Sequence, residues 1–173
     1  MIRYRLFEGM RVLFVGINPH YGSFRRGVPF SNNKTFWYLL RRSGAIGEDL
    51  DELKDDAKLR TMYEKRFGRV YRFGFLNIVD RPSRDISALG RGEELPGSRR
   101  LIAAIKKYRP NVVCFIGKVT FSKFSGQKSV HTGWQQRLFD SEVFVMHFPI
   151  RGKASVRIKE LKIVLSKADN GTR

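Results

Sequence analysis

RVLFVGINPH, Arg11 to His20, holds the residues on which the fold turns. Val12 to Val15 is apolar at every position, and Gly16 stops the run. A half-exposed strand alternates apolar and polar residues, so a short run that is apolar throughout suits a strand covered on both faces. Three further runs have the same character: FGFLNIVDRP (Phe73–Pro82), NVVCFIGK (Asn111–Lys118) and EVFVMHFP (Glu142–Pro149). Helical patterns separate them. In NNKTFWYLLRRSG, Asn33 is a candidate cap, Phe36, Leu39 and Leu40 share a face, and Gly44 ends the helix. Leu50–Phe67 reads as one helix whose acidic start and basic end match the helix dipole. Gly97–Pro110 reads as a helix capped by Ser98 and stopped before Pro110. Ala154, Ile158, Leu161, Leu165 and Ala168 form a stripe at helical spacing. Strands alternating with helices predict an α/β sandwich around a mainly parallel, four-stranded central sheet.

In such sheets ligands bind beyond the carboxyl ends of the strands. Three exits carry unusual chemistry: GINPH after the first strand, LNIVDRP in the second and HFPIRGKAS after the fourth. Their shared topological position raises all three as parts of one site.

Composition narrows the partner. The chain of 173 residues carries 34 Lys and Arg against 16 Asp and Glu, a formal net charge of +18. That imbalance points to a polyanion, with nucleic acid ahead of an acidic membrane surface. A basic surface suited to a hot habitat or to ribosome association is the plainer alternative. The acids gather in Gly47–Arg60, while bases collect at Arg25–Arg26, across Arg81–Arg100 and from Arg151 onward, which predicts a groove rather than a tail. The single cysteine, Cys114, permits no internal disulfide, cysteine-based zinc site or iron–sulfur cluster, and suits a reducing compartment. The N-terminus lacks the apolar core of a targeting signal, and no segment has the roughly 20 apolar residues of a membrane span. A cytoplasmic, nucleoid-associated location is expected if the source is prokaryotic. Neither GxGxxG nor GxxxxGK[ST] occurs, which argues against a nucleotide-binding α/β domain.

The residues RVLFVGINP, GVPF, Phe36–Trp37, GFLNIVDRPS, the helix running into NVVCFIGK, and Pro149 with its serine-containing turn resemble the mismatch-specific uracil/thymine branch of the uracil-DNA glycosylase superfamily. The likeness runs from about residue 9 to residue 167. It implies a three-layer α/β/α sandwich, in agreement with the strand–helix pattern. A chain of 173 residues is the usual size of one domain, expected over 1–173 with a short flexible tail at about 168–173.

The resemblance implies a monofunctional DNA glycosylase acting on double-stranded DNA with a damaged or mismatched base. The base is uracil, with thymine and hypoxanthine as further candidates, opposite guanine. Cleaving an N-glycosidic bond passes through an oxocarbenium-like sugar and an anionic leaving base, and the target must first be flipped out of the stack. Asn18 matches the residue that places water. An amide is no general base, so it orients water and substrate through its carbonyl and NH2, and a slower enzyme is expected than with aspartate there. Phe30 matches the ring under the flipped base. Ile17, Ser23 and Asn77 match pocket positions, with Asn77 placed for the Watson–Crick edge, and Gly16, Gly22 and Gly27 admit close backbone approach. Backbone N–H groups near Ile17 and Phe30 are candidate donors to a developing oxyanion. Arg25 and Arg26 are candidate phosphate contacts. Arg151, Gly152, Lys153, Ala154 and Ser155 stand for the wedge and the opposite-strand contacts. Asp80 reads as a structural partner of Arg81 or another arginine.

The chain departs from the family at two places. Ile150 and Arg151 replace the usual small polar residues after Pro149, which bears on the opposite-base preference. His20 stands where glycine is usual, either touching phosphate or narrowing the pocket. His147 either faces the pocket or sits at its rim. No cofactor or metal is expected, no lysine is placed for Schiff-base chemistry, and a monomer suffices. The competing function is a module that keeps the fold and grips DNA or RNA without cutting it.

Overall fold

The computed structural model describes residues 1–171. Five strands among them form one sheet: β1 (Val12–Gly16), β2 (Phe73–Asn77), β3 (Val112–Ile116), β4 (Gly133–Leu138) and β5 (Ser141–Met146). The order is β2-β1-β3-β5-β4, parallel except for β4, which pairs antiparallel with β5. The eight α-helices are α1 (Tyr21–Arg26), α2 (Thr35–Arg42), α3 (Leu50–Lys54), α4 (Asp56–Met62), α5 (Gly68–Tyr71), α6 (Leu95–Tyr108), α7 (Lys118–Ser125) and α8 (Ala154–Asn170).

Alternate strand residues face opposite ways, so the sheet has a core on each side. Val12, Phe14, Val112, Cys114, Phe144 and Met146 meet α2, α3, α4 and α8 on one side. Leu13, Val15, Val113, Phe115, Val143 and Val145 meet α6 and α7 on the other. The apolar runs are apolar throughout for this reason, and the result is the expected three-layer α/β/α sandwich.

The strand count is five rather than four. β4 reads GWQQRL and lies at the sheet edge, so it has no apolar run to betray it. Trp134 packs edge-on against Phe144, with ring centroids 4.9 Å apart, and gives the strand its anchor. A two-residue turn, Phe139–Asp140, joins it to β5 without glycine, although Phe139 adopts φ 53.

Other boundaries also move. Leu50–Phe67 is not one helix. Asp55 is extended (φ −75, ψ 119) and its carboxylate accepts from Lys58 N at 2.9 Å, ending α3 and capping α4. A π-helical turn over Tyr63–Phe67 then leads into α5. Helix α6 starts at Leu95 because Pro96 fits the first turn, so Ser98 is buried inside the helix and does not cap it. Asn33 accepts from Thr35 N at 3.1 Å, as a cap should, but Lys34 occupies the boundary position. In α8, Leu161, Leu165 and Ala168 are buried as expected, joined by Val164 and by two charged residues, Arg157 and Glu160. Residues 168–170 are helical, not a flexible tail, and 172–173 lie outside the described residues. No helix among the described residues is long and apolar enough to cross a membrane.

The chain leaves β1 toward the α2 face and leaves β3 toward the α7 face. Adjacent parallel strands whose connections part to opposite sides open a crevice at their carboxyl ends. Gly16 to His20 leaves β1 at that end of the sheet.

Candidate active site

Two strand exits run side by side. Gly16 pairs in register with Asn77. Ile78 N donates to Gly16 O at 2.9 Å, Val79 N to Ile17 O at 2.7 Å, and Ser83 N to Pro19 O at 3.1 Å. The β1 exit is thereby fastened to the β2 exit over its whole length.

Asn18 lies between them, partly buried. Its Nδ2 donates to Ser83 Oγ at 2.7 Å and also faces Arg81 O at 3.3 Å and Pro19 O at 3.4 Å. Its Oδ1 accepts no hydrogen bond among the described residues. The expected use of both ends of the amide is therefore corrected: the NH2 is committed to the protein and only the oxygen is available.

Gly16 explains how the pocket closes up. A Cβ built there would lie 2.4 Å from Asn77 Oδ1 and 2.4 Å from Phe30 Cε1, so only glycine lets the amide and the ring meet over the backbone. Asn77 is fully buried, and neither Oδ1 nor Nδ2 has a hydrogen-bond partner among the described residues. Leaving such a group unmade costs about 1–3 kcal/mol, so an orphaned buried amide calls for a reason. Tyr4 approaches the same amide, and its own burial pushes its hydroxyl above the ordinary range. Arg100 holds the strand end from α6, donating to Asn77 O at 2.9 Å. Asp80 pairs with Arg100 at 2.6 Å, not with Arg81.

Phe30 sits at φ 57, a left-handed backbone that a bulky residue adopts only when its surroundings compel it. The surroundings do so. Ser23 Oγ accepts from Ser31 N at 3.0 Å, Ser31 Oγ donates to Val28 O at 2.7 Å, and Trp37 Nε1 donates to Pro29 O at 3.0 Å. Arg26 donates to Ser31 O at 2.5 Å and pairs with Asp56 at 2.7 Å. Two expectations change here. Ser23 is buried and braces the loop instead of lining the pocket, and Arg26 is spent on the same loop instead of on phosphate. Arg25 is the exposed member of the pair. Phe36 meets the Phe30 ring edge-on with centroids 5.1 Å apart, which steadies it from below.

His20 caps α1, with Nδ1 accepting from Gly22 N at 3.2 Å. His147 is exposed, with Nδ1 2.6 Å from Glu160 Oε1, while its backbone N donates to Glu160 Oε2 at 3.0 Å. It belongs to the rim of the sheet end, on the β5 side.

The turn after Pro149 has an unforeseen brace. Arg157 is 2% exposed, and it donates to Phe148 O and to Lys153 O, both at 2.7 Å. It lies three residues after Ala154 on the buried face of α8, which was the available signal in the sequence. Gly152 (φ 76) packs toward that guanidinium, Ala154 opens α8, and Ser155 is exposed on it. The side chains that project as apolar surface are Phe148 (46% exposed) and Ile150 (55%).

Charge completes the picture. The acids of Gly47–Arg60 pair with Arg26, Lys34, Arg41 and Lys54 nearby. Arg25, Arg84, Arg91, Lys118, Arg151 and Lys153 are exposed and have no carboxylate partner among the described residues. All six come after strands β1, β2, β3 or β5; other exposed cations without such a partner, Arg42, Lys58, Lys106 and Lys107 among them, lie elsewhere on the surface. No group of three or more His, Cys, Asp or Glu suited to a metal occurs among the described residues.

The Arg81–Glu93 pair steadies the loop behind Asn18, with contacts of 2.7 and 2.9 Å. Arg81, with Gly90 N–H, pulls the Glu93 carboxyl down to about 2. Arg26 likewise lowers Asp56, and the Ser87 N–H lowers Asp85. A carboxyl depressed by folding stabilises the fold above its unfolded value, near 4.3 for Glu, and loses that contribution as pH falls through the folded one. Melting temperature is expected to drop steadily between about pH 5 and pH 2, and Glu93→Gln to flatten that slope. Equal slopes for the two proteins would show that this pair does not govern acid sensitivity.

Residues 6–155 match the family model of the uracil DNA glycosylase superfamily. Its members are DNA glycosylases, hydrolases that act on DNA containing damaged bases. The matched span takes in the β1 exit, the Phe30 loop, Asn77 and the braced turn after Pro149, and this chain belongs to that superfamily.

Proposed function

We propose that the protein is a monofunctional, cofactor-independent glycosylase that flips uracil opposite guanine in duplex DNA and hydrolyses its N-glycosidic bond, leaving an abasic site. The observation that carries this is the fully buried Asn77 amide beside Phe30 and Gly16, with no hydrogen bond closed on either end and only Tyr4 facing it among the described residues. An asparagine amide offers one donor and one acceptor, the complement of O4 and N3–H of uracil. A flipped base would satisfy both atoms and stack on Phe30, a contact worth about 1–3 kcal/mol. Asn18 Oδ1 accepts a hydrogen bond from a water and aims that water's lone pair at the sugar carbon; as the bond to the base breaks, the water oxygen bonds to the carbon and its released proton ends on the departed base. Electron density leaves with the base, and backbone N–H groups near Ile17 and Phe30 stabilise the developing anion.

Exposed cations that follow the strand ends hold the phosphates, Arg25, Arg151 and Lys153 among them. Apolar side chains pushed between base steps fill a vacated stack. Phe148 and Ile150 have that character, and Arg157 holds their turn rigid, so they take the wedge role expected of Gly152, Lys153 and Ala154. The enzyme acts as a monomer.

The test is single-turnover base release from end-labelled duplexes carrying U, T or hypoxanthine opposite G and opposite A, with alkali to reveal abasic sites. Release of uracil from the U:G duplex, ahead of thymine, is the expected result. Tight binding to every duplex with no base released would leave the non-cutting DNA- or RNA-binding module as the better account. The altered turn after Pro149 favours that alternative.

A further inference from the structure

We propose that Ser83 is a positioning residue that makes Asn18 an acceptor-only group, and that the Arg81–Asp85 turn is built for an amide, not a carboxylate, at position 18. The inference rests on the glycosylase reading for its activity readout and on hydrogen-bond chemistry for its substance.

Ser83 is 4% exposed. Its hydroxyl has a single proton, and that proton goes to Asp85 O at 2.7 Å. Toward Asn18, at 2.7 Å, Ser83 Oγ therefore offers only a lone pair. Arg81 O at 3.3 Å and Pro19 O at 3.4 Å are carbonyls and offer nothing else. Three acceptors face one end of the Asn18 side chain, so that end is its NH2. The two ends of an amide are usually hard to tell apart, but here the partners leave one solution. Oδ1 is turned away from the turn, and both N–H protons are spent.

The turn is held independently of any substrate. Ser83 N donates to Pro19 O at 3.1 Å, Arg81 Nη2 donates to Ala88 O at 2.9 Å, and Asp85 accepts from Ser87 N at 2.7 Å. Asn18 is thus presented ready-made, with its oxygen free for a water proton. It has nothing left to donate to the base or to a phosphate.

The same shell makes aspartate a poor occupant. A carboxylate is acceptor-only, and one of its oxygens would face Arg81 O, Pro19 O and Ser83 Oγ. Relief requires the Ser83 proton to turn toward it and abandon Asp85 O. Aspartate is the stronger base in isolation, yet here it meets a nest of lone pairs.

Three variants and three readouts test this. In single-turnover release from a U:G duplex, Ser83→Ala is expected to slow the step about tenfold, the scale of one neutral hydrogen bond. Affinity for a duplex carrying 2′-fluorinated deoxyuridine, which resists cleavage, stays within about twofold because Ser83 acts through Asn18 alone. Ser83→Thr keeps the hydroxyl and restores most of the rate. Asn18→Asp, nearly isosteric, is expected to be slower than wild type. A faster Asn18→Asp enzyme, or a Ser83→Ala enzyme with unchanged rate, overturns the proposal. The third readout needs neither catalysis nor DNA. In 15N-labelled protein, the Asn18 side-chain NH2 protons are expected to exchange slowly with solvent, and faster in Ser83→Ala. Fast exchange in wild type overturns the acceptor-only assignment. Wild type that releases no base from any duplex refutes the glycosylase reading instead, and the exchange measurement still decides the role of Ser83.

Discussion

Asn18→Ala is expected to slow uracil release about a hundredfold, the scale of losing a positioned catalytic group, while affinity for duplex DNA changes little. The split follows from how the side chain is held. Its NH2 faces Ser83, Arg81 and Pro19, so no donor is lost from a DNA contact. Its Oδ1 is the only part available to the reacting water. Removing it leaves the Phe30 ring, the Asn77 amide and the exposed cations in place, which on the proposed reading sustain the residual rate. Ser83 Oγ loses its donor, which costs about 1 kcal/mol of stability and leaves the protein folded. The check is single-turnover release beside a binding titration on the uncleavable duplex. Equal losses in rate and affinity would make Asn18 a binding group, and no loss in either would remove it from the site.

Gly97→Ala is expected to be strongly destabilising, by about 3 kcal/mol, the upper end of what overpacking costs. A Cβ at Gly97 would lie 1.6 Å from Ile78 O and 2.6 Å from Ile78 C. Both are backbone atoms and neither can rotate aside, so the whole of α6 must back away from the β2 exit. Alanine is the better helix former by about 1 kcal/mol, and that gain cannot offset the clash. Ala103→Gly on the exposed face of the same helix provides the contrast, since it lowers helix propensity with no clash. For a chain of this size about 3 kcal/mol lowers the melting temperature by about 10 °C. Gly97→Ala should melt well below Ala103→Gly in parallel thermal scans. The reverse order would mean that α6 is free to move from the sheet.

The two predictions meet in one place. Ile78 N is bonded to Gly16 O, and Asn77 precedes it. The helix that Gly97 allows to approach also carries Arg100, which holds the Asn77 carbonyl and Asp80. Close packing of α6 is therefore part of the site's geometry as well as of its stability.

Much of the fold was legible in the sequence because its signals are local. A buried parallel strand must be apolar on both faces, and β1, β2, β3 and β5 announce themselves that way. β4 does not, because an edge strand needs no apolar run, and its pairing is set by a turn without glycine. Helix ends were misplaced where one side chain outweighed the pattern: Asp55 broke an amphipathic run, and Pro96 started α6 early. Arg157 and Glu160 were hidden within a stripe read for its apolar members alone.

From the sequence by itself came the three-layer α/β class, a polyanionic partner, and Asn18, Phe30 and Asn77 as residues of one site. These depend on composition, short-range spacing and a motif resemblance. Only the tertiary structure decided what each residue can do. Asn18 is turned by Arg81 O and Ser83 Oγ, 63 and 65 residues away along the chain. Arg26 differs from Arg25 because Asp56, 30 residues on, claims it. Asn77 and Phe30 meet because Gly16, on the neighbouring strand, has no side chain to keep them apart. A donor's identity is written in one residue, but its availability depends on partners that the fold brings from elsewhere in the chain.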